Sequence, residues 1–480
     1  MEYMQVLSLT LSLLAFLPLF CAMFFIHEKN IRTKRKLPPG EMGLPWIGET
    51  MDFYKSQRKN QLFEDFLQPR IARYGNVFKT NLMGAPTVVF SGAEANRFLL
   101  SNEFKLVVSS WPASSVQLMG KESIMEKQGD RHRCLRNIIG MSFGHLGLEG
   151  LIPRICDLVK SQLGATWDGN DKIINFHRFT KILTFSIMFE CFLGFKVEEG
   201  VYGVFERVLE GCFAPALDIP GTKFSRAKKA RKEIEVMMLT KVTEMKKEME
   251  GRVQVESSEE GTLSSRLMDK YMRGEITEEE VVDNMVVLVF GAHDTTSFAI
   301  AMTFKMLALH PKWYSLVLQE HEEVRNKKQP GDTLTMEDIK KMKYSWQVAR
   351  ESMRLFPPIF GSFRKAITDI EYEGYTIPKG WKVLWTTYAT HYNPEYFQDP
   401  LTFDPGRFEY PVQPYIFLPF GGGPRLCAGY QLAKLNIIIL LHYVLTGYDW
   451  SLVHPDEPIT NDPLPMPSLG MPIRVNPKSS

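Results

Sequence analysis

The sequence predicts a mainly α-helical protein with smaller β-sheets, carried behind one N-terminal transmembrane helix. Three observations predict it. Helix-period patterns dominate from about residue 123 to residue 356, short β-like runs bounded by turn residues lie on either side, and residues 6 to 26 form an uncharged apolar stretch. At 480 residues, 44% hydrophobic and 23% charged, the chain has material for a large core. A formal net charge of +2 supplies no global basic field, so no nucleic-acid partner is expected.

The first element, "VLSLTLSLLAFLPLFCAMFFI" at 6 to 26, would cross a hydrocarbon core of about 30 Å at about 1.5 Å per residue. A cleaved signal peptide is the competing reading. Against it, the basic cluster Lys29, Arg32, Lys34, Arg35 and Lys36 follows the apolar run instead of preceding it, and no A-x-A site is present. The positive-inside rule keeps that cluster cytosolic. Residues 1 to 36 are therefore expected to be a single-pass anchor with a basic cytosolic flank. "LPPGEMGLP" at 37 to 45 follows as a stiff Pro/Gly strap, and residues 46 to 480 as one domain.

Within that domain "NVFKTNLMG" and "PTVVFSG" read as strands, and residues 364 to 388 as hairpins with turns near Gly374 and Lys379-Gly380. Polar breaks at 252 to 262 and 326 to 335 read as surface loops. The most informative helix spans about Glu278 to Leu309: Thr277 and Glu280 have capping-box spacing, and Pro311 marks the exit. Its middle, "VVLVFGAHDTTSFAIAM", is apolar on nearly every face yet holds Gly291, Asp294, Thr295 and Thr296. A carboxylate inside an apolar helix is costly unless paired or hydrated, and a threonine hydroxyl there bonds the carbonyl one turn back. A kink with a solvated acid is one reading; an acid-plus-hydroxyl site opening a polar notch is the preferred one.

The six cysteines, Cys21, Cys134, Cys156, Cys191, Cys212 and Cys427, show no CxxC spacing and fit neither a disulfide framework nor a zinc pattern. All read as reduced thiols, and all but Cys427 as small buried hydrophobes. Cys427 lies in "PFGGGPRLCAG" (419 to 429), ahead of the apolar helix "YQLAKLNIIILLHYVL". At a helix entrance, unpaired N–H groups and the dipole favour a thiolate. Three weaker features accompany it. "ARESMRL" sets Glu351 and Arg354 at i and i+3, "FDPGRF" supplies Arg407, and "RHRCLR" sets His132 and Arg136 one turn apart.

Taken in their order along the chain, these motifs make the sequence resemble the cytochrome P-450 haem-thiolate monooxygenases from residue 37 to about residue 475. The resemblance implies a P-450 fold binding haem b. Phe420, Gly423, Arg425, Cys427 and Gly429 then form the haem-binding loop, with Cys427 as axial iron ligand and Arg425 on a propionate. Glu351 and Arg354 match the family's ExxR pair, and Arg407 closes a buried triad. His132, where the family often has Trp, Arg136 and Arg364 match propionate-binding positions. Asp294 and Thr295 match the catalytic pair that organises water for proton delivery to dioxygen. Ala292 stands in place of a glycine, and Asn436 stands where an acid is common and reads as a surface position.

A thiolate ligand favours O–O cleavage and needs electrons. No G-x-G-x-x-G lies in a βαβ context, so NADPH is expected to act only through a partner flavoprotein reductase, with the catalytic domain on the cytosolic face of the endoplasmic reticulum membrane. Segments 109 to 120, 211 to 221, 355 to 363 and 467 to 472, with the central helix, are expected to line the pocket. Asp218, and Asp294 in the middle of that helix (286 to 302), are the only charges in these stretches, which suits an apolar, bulky small molecule, and the 211 to 221 loop is hydrophobic enough to meet the membrane. The stretches around Trp111, Phe360 and Cys427 resemble the plant clan that oxidises isoprenoids, including triterpenoid and taxoid hydroxylases. That implies hydroxylation, or further oxidation, of a polycyclic triterpenoid or diterpenoid. A steroid-type hormone oxidase, a haem-thiolate isomerase or dehydratase, and a membrane-tethered haem sensor are the alternatives. The retained acid-threonine pair speaks against the last two.

Overall fold

A computed structural model describes residues 36–251, 261–462 and 464–478. The expected anchor at 6 to 26, all of its basic flank but Lys36, and most of the loop at 252 to 262 lie outside the described residues. The chain packs as two compact units interleaved in sequence: the first holds the described residues up to Gln57 with Gln61–Ser110 and Ser362–Thr386, the second Arg58–Asn60, Trp111–Gly361 and Thr387–Ser480. Strands and α-helices are numbered along the chain.

The first unit carries helices α1 (Thr50–Arg58), α2 (Gln68–Tyr74) and α3 (Ala93–Ser101) and a five-stranded sheet. Its strands are β1 (Val77–Leu82), β2 (Ala85–Phe90), β3 (Val107–Ser109), β5 (Gly361–Ala366) and β8 (Lys382–Thr386), in the order β1-β2-β8-β5-β3. β1 and β2 form the expected hairpin. Met83 and Gly84 both take positive φ in its two-residue turn, the geometry that matches strand twist. β6 (Ile370–Tyr372) and β7 (Tyr375–Ile377) form the hairpin expected around Gly374. After Gly380 β8 does not fold back on β7; it lies between β5 and β2 in the sheet and runs parallel to β2, a long-range partner that no local pattern announces. The Pro/Gly strap is pinned to β1, because Lys79 donates its backbone N–H to Pro39 O (2.7 Å) and its ammonium to Pro38 O (2.8 Å). Gly40 is required there: its φ is +127°, and a Cβ would lie 2.2 Å from Lys79 O.

The second unit is mostly helical: α4 (Ala113–Met119), α5 (Gly129–Phe143), α6 (His145–Glu149), α7 (Ile152–Trp167), α8 (Phe176–Ser186), α9 (Val201–Cys212), α10 (Lys223–Glu250), α11 (Leu263–Met272), α12 (Glu278–Leu309), α13 (Pro311–Arg325), α14 (Met336–Lys341), α15 (Lys343–Leu355), α16 (Tyr388–His391) and α17 (Tyr430–Gly447). Its small sheets are β4 (Lys172–Asn175) with β12 (Pro472–Pro477) and β9 (Tyr448–Leu452), and β10 (Ile459–Asn461) with β11 (Pro465–Pro467). β4 interrupts the helical region because its partner, β12, arrives only at the end of the chain.

Helix α12 starts at the expected capping box and runs unbroken to Leu309, packed by α8, α10, α15 and α17. Being apolar on nearly every face, it must be enclosed, and Val281, Met285, Val289, Ile300 and Leu307 are fully buried. The loop at 326 to 335 joins α13 to α14 as expected. One expectation is corrected. Asn436 is 2% exposed on α17, with Oδ1 unbonded among the described residues, so it is a core residue and not a surface one. Its neighbours Leu435 and Ile437 are buried too, so this helix is wrapped on every side.

Candidate active site

The site residues of the second unit fall into three groups. The first is built on the loop ahead of α17. The Cys427 N–H donates to Phe420 O at 3.0 Å, Gly421 and Gly423 take positive φ, and Gly423–Arg425 winds one tight 3-10 turn. The Phe420 ring meets Tyr430 edge-on at 4.7 Å, fixing the loop to the first turn of α17. Gly429 has φ −86°, open to any residue, and a Cβ there would sit 3.9 Å from Cys427 Sγ. The described cysteines are all free, and Cys427 is the exposed one.

Burial pushes the Cys427 thiol up; the Gly429 backbone N–H and the Arg136 charge oppose this without reversing it. A bound cation would complete the ionisation that the Gly429 N–H and the Arg136 charge favour.

The Arg136 charge reaches the sulfur, and His132 lies near both Arg136 and Arg425. Helix α5 supplies His132 and Arg136. His132 is buried and lowered to about 4 by burial, then by Arg425 and Arg136, so it is neutral at pH 7. Arg136 is half-buried, its pKa lowered by burial, and no acid pairs with it among the described residues. Arg425 is tied down, donating to the carbonyls of Ile124 (3.3 Å), Met125 (3.1 Å) and Lys127 (2.6 Å). A sulfur donor beside a half-buried cation that lacks an acidic partner fits an iron porphyrin with anionic side chains.

The second group is the charged triad. Glu351 accepts two bonds of 2.8 Å from Arg354 Nε and Nη2, plus one of 3.0 Å from the Asp404 N–H. Both residues are fully buried. The remaining Arg354 donors reach the carbonyls of His391 (2.8 Å), Pro400 (2.6 Å) and Thr402 (3.2 Å). Arg407 joins by charge, Nε to Glu351 Oε1 3.4 Å, and donates from Nη2 to Asp399 O. The expected triad is therefore assembled. Sequence reasoning missed His391. This fully buried ring bonds the Arg354 carbonyl through Nδ1 (3.1 Å) and accepts the Leu418 N–H on Nε2 (2.9 Å), linking the triad to the chain leading into the cysteine loop. No local motif marks it.

The third group lies in the middle of α12. Thr295 Oγ1 donates to Gly291 O at 2.8 Å, the back-bond expected, yet the helix does not break. Asp294 meets Lys181 Nζ at 3.0 Å, and Lys181 lies 3.5 Å from Glu206, which also takes the Tyr202 hydroxyl. Burial pushes the Asp294 carboxyl up, but His293, Lys181 and His177 together outweigh it and hold it below the usual range. Asp294 opens to a cleft lined by His177, Lys181, Glu206, Glu210 and Asp462. Sequence reasoning missed Lys181 and His177. Their i, i+4 spacing puts them on one face of α8, a faint signal that says nothing of Asp294 more than a hundred residues on.

Arg364 belongs to the first unit. It is buried, with Nε 2.5 Å from Glu103 Oε2 and Nη1 donating to Ser362 Oγ and Phe363 O. Its charge therefore has a protein carboxylate as partner, one that the sequence reading did not foresee.

The comparisons agree with this geometry. The profile of the family described as Cytochrome P450 matches residues 38–476. Taxane 13-alpha-hydroxylase of Taxus cuspidata is 37% identical over 99% of this chain and 98% of its own. Beta-amyrin 28-monooxygenase of Barbarea vulgaris is 36% identical over 98% of this chain and 99% of its own. Among solved structures, retinoic-acid-bound cyanobacterial CYP120A1 superposes with a TM-score of 0.82 at 29% identity, covering 92% of this chain and all of that one. With a cysteine loop, a buried Glu-Arg-Arg triad and an acid-threonine helix each in place, and the match running almost end to end, this chain belongs to the cytochrome P450 family.

Proposed function

We propose that this protein is a membrane-anchored monooxygenase that hydroxylates a polycyclic terpenoid, in the endoplasmic reticulum, with electrons from an NADPH-dependent flavoprotein reductase. The observation that carries the substrate class is the near full-length similarity to enzymes named for two different terpenoid ring systems, taxane and beta-amyrin. The sparse charge of the expected pocket segments supports an apolar substrate. Exposed Leu44, Trp46 and Ile47, just beyond the basic flank, support a membrane-facing first unit, as Phe213, Leu217 and Ile219 do for the second.

In this reading Cys427 Sγ would hold the iron of haem b. Arg136 would take a propionate as its counter-ion, Arg425 would share one with the carbonyls it already bonds, and neutral His132 would donate a hydrogen bond. Haem held this way supplies dioxygen activation, which thiolate ligation favours. The protein's own part is geometric and protonic. The triad and His391 hold the cysteine loop. Thr295, whose proton is engaged by Gly291, presents its oxygen lone pairs to a water, and Asp294 passes protons from the cleft to that water. The retained Asp294 and Thr295 favour a monooxygenase over an isomerase, a dehydratase or a sensor.

The test is turnover with reductase and NADPH on a terpenoid panel, read by mass spectrometry. Addition of one oxygen from O2 to a polycyclic terpenoid is expected; oxidation of none, by protein with intact haem, overturns the substrate class. Thr295→Ala should lower product per NADPH by about tenfold or more, with hydrogen peroxide making up the difference. Unchanged coupling contradicts the proton-delivery role.

A further inference from the structure

His293 sits one residue before Asp294 on α12 and is fully buried. Its Nδ1 lies 3.1 Å from the Val289 carbonyl oxygen. That oxygen only accepts, so Nδ1 carries a hydrogen and, in the neutral ring, Nε2 is a bare lone pair. Nε2 is buried, has no hydrogen-bond partner among the described residues, and lies 3.6 Å from Asp294 Oδ1. The rings of Phe185, Phe290 and Tyr202 surround it, with centroids 5.9, 6.4 and 6.4 Å away. A lone pair facing a carboxylate oxygen in such surroundings is repulsive, and a proton between them makes the contact attractive.

We propose that His293 and Asp294 share one proton across this contact, so that the pair, and not Asp294 alone, sets the point at which the site releases a proton. The inference rests on the reading of Asp294 and Thr295 as the proton-handling pair. The transfer balances simply. When the proton leaves Nε2 for Oδ1, the ring becomes neutral with its Nδ1–H still on Val289, and the carboxylate becomes a carboxyl; no other bond changes. From α8, Lys181 and His177 face the same carboxylate, and Thr184 Oγ1 donates to His293 O at 3.1 Å, holding this turn in place. From α9, Tyr202 and Glu206 face it, with Glu206 engaged by Lys181 and the Tyr202 hydroxyl. Asp294 thus has one proton carrier on the cleft side and one in the core, and the buried one exchanges through Asp294. His293 is a positioning residue, acting through Asp294.

Infrared difference spectroscopy of the haem-loaded, full-length protein across a pH titration reads the protonated carboxyl directly. The Asp294 band is identified by its loss in Asp294→Asn. In His293→Phe it should emerge about one pH unit higher than in the wild type, a tenfold rise in proton affinity. His293→Gln restores packing but has no proton to share, so its band should stay shifted, and it decides alone if the phenylalanine variant does not fold. A band at the wild-type pH in the variants overturns the shared proton. If Thr295→Ala uncouples while that band is unmoved, only this inference fails. If Thr295→Ala stays coupled, the functional reading fails, and the band still decides the pair.

Discussion

Two buried charged regions of the second unit are built on opposite terms. Around Glu351 and Arg354 the charges are answered: Arg354 reaches one carboxylate and three carbonyls, and Glu351 takes both an arginine and a backbone N–H. Around Asp294 the contacts are fewer and looser. One lysine meets it at 3.0 Å, a histidine nitrogen stands 3.6 Å away without a bond, and a cleft lies open beside it. A fully bonded buried network holds one arrangement, because any departure strands a charge where water cannot reach it. A partly bonded one lets protons move between groups of similar affinity. The same chemistry, acid with base, therefore fixes shape in one place and handles protons in the other.

The sharpest way to break this contrast is to strand a charge. Glu351→Ala leaves Arg354 buried and uncompensated, which should cost about 3–5 kcal/mol, enough to abolish haem-loaded protein. Calorimetry and the yield of haem protein check it, and wild-type stability would remove the structural role given to the triad.

A third buried network, in which two histidines are held neutral, sharpens the comparison through pH. Ser345 Oγ donates to Glu320 (2.7 Å), so it accepts from His321 Nε2 (2.9 Å), which leaves His321 Nδ1 to accept from His442 Nδ1 at 3.2 Å. Burial holds His321 well below its ordinary value and lowers His442 to about 4. Unfolded histidines bind protons near pH 6.5, whereas the folded His442 does not until about pH 4. Stability should therefore be full above pH 6.5 and fall as pH drops below it, by about 1.4 kcal/mol per pH unit for each such histidine. Urea midpoints between pH 7 and 5 measure the slope. His442→Phe should make it shallower, and equal slopes would contradict the neutral histidine pair.

The smallest effect belongs to Asn436, buried with an unanswered oxygen. Replacing an unsatisfied polar group by an apolar one of similar size is near neutral, so Asn436→Leu should change unfolding free energy by less than about 1 kcal/mol. A loss well above that would show that the oxygen has a partner.

What was legible in the sequence was what is local. The capping box at Thr277 and Glu280, the i, i+3 spacing of Glu351 and Arg354, and the glycines ahead of Cys427 each specify geometry within a few residues, and each is found as read. What escaped depends on partners distant in sequence. Lys181 against Asp294, His391 between Arg354 and Leu418, Glu103 on Arg364 and the parallel pairing of β2 with β8 have no local signature. Asn436 was misread because polarity was taken for exposure on a helix buried all round. The helix entrance at Cys427 is visible in sequence, whereas the burial that opposes ionisation of its thiol is not.

The carbon monoxide spectrum of the reduced, haem-loaded protein bears most directly on the whole picture. Wild type should show the strongly red-shifted band of a thiolate-ligated haem, and Cys427→Ser should lose it while remaining folded. A wild-type spectrum without that band, or a serine variant that keeps it, would contradict the assignment of Cys427 as the iron ligand.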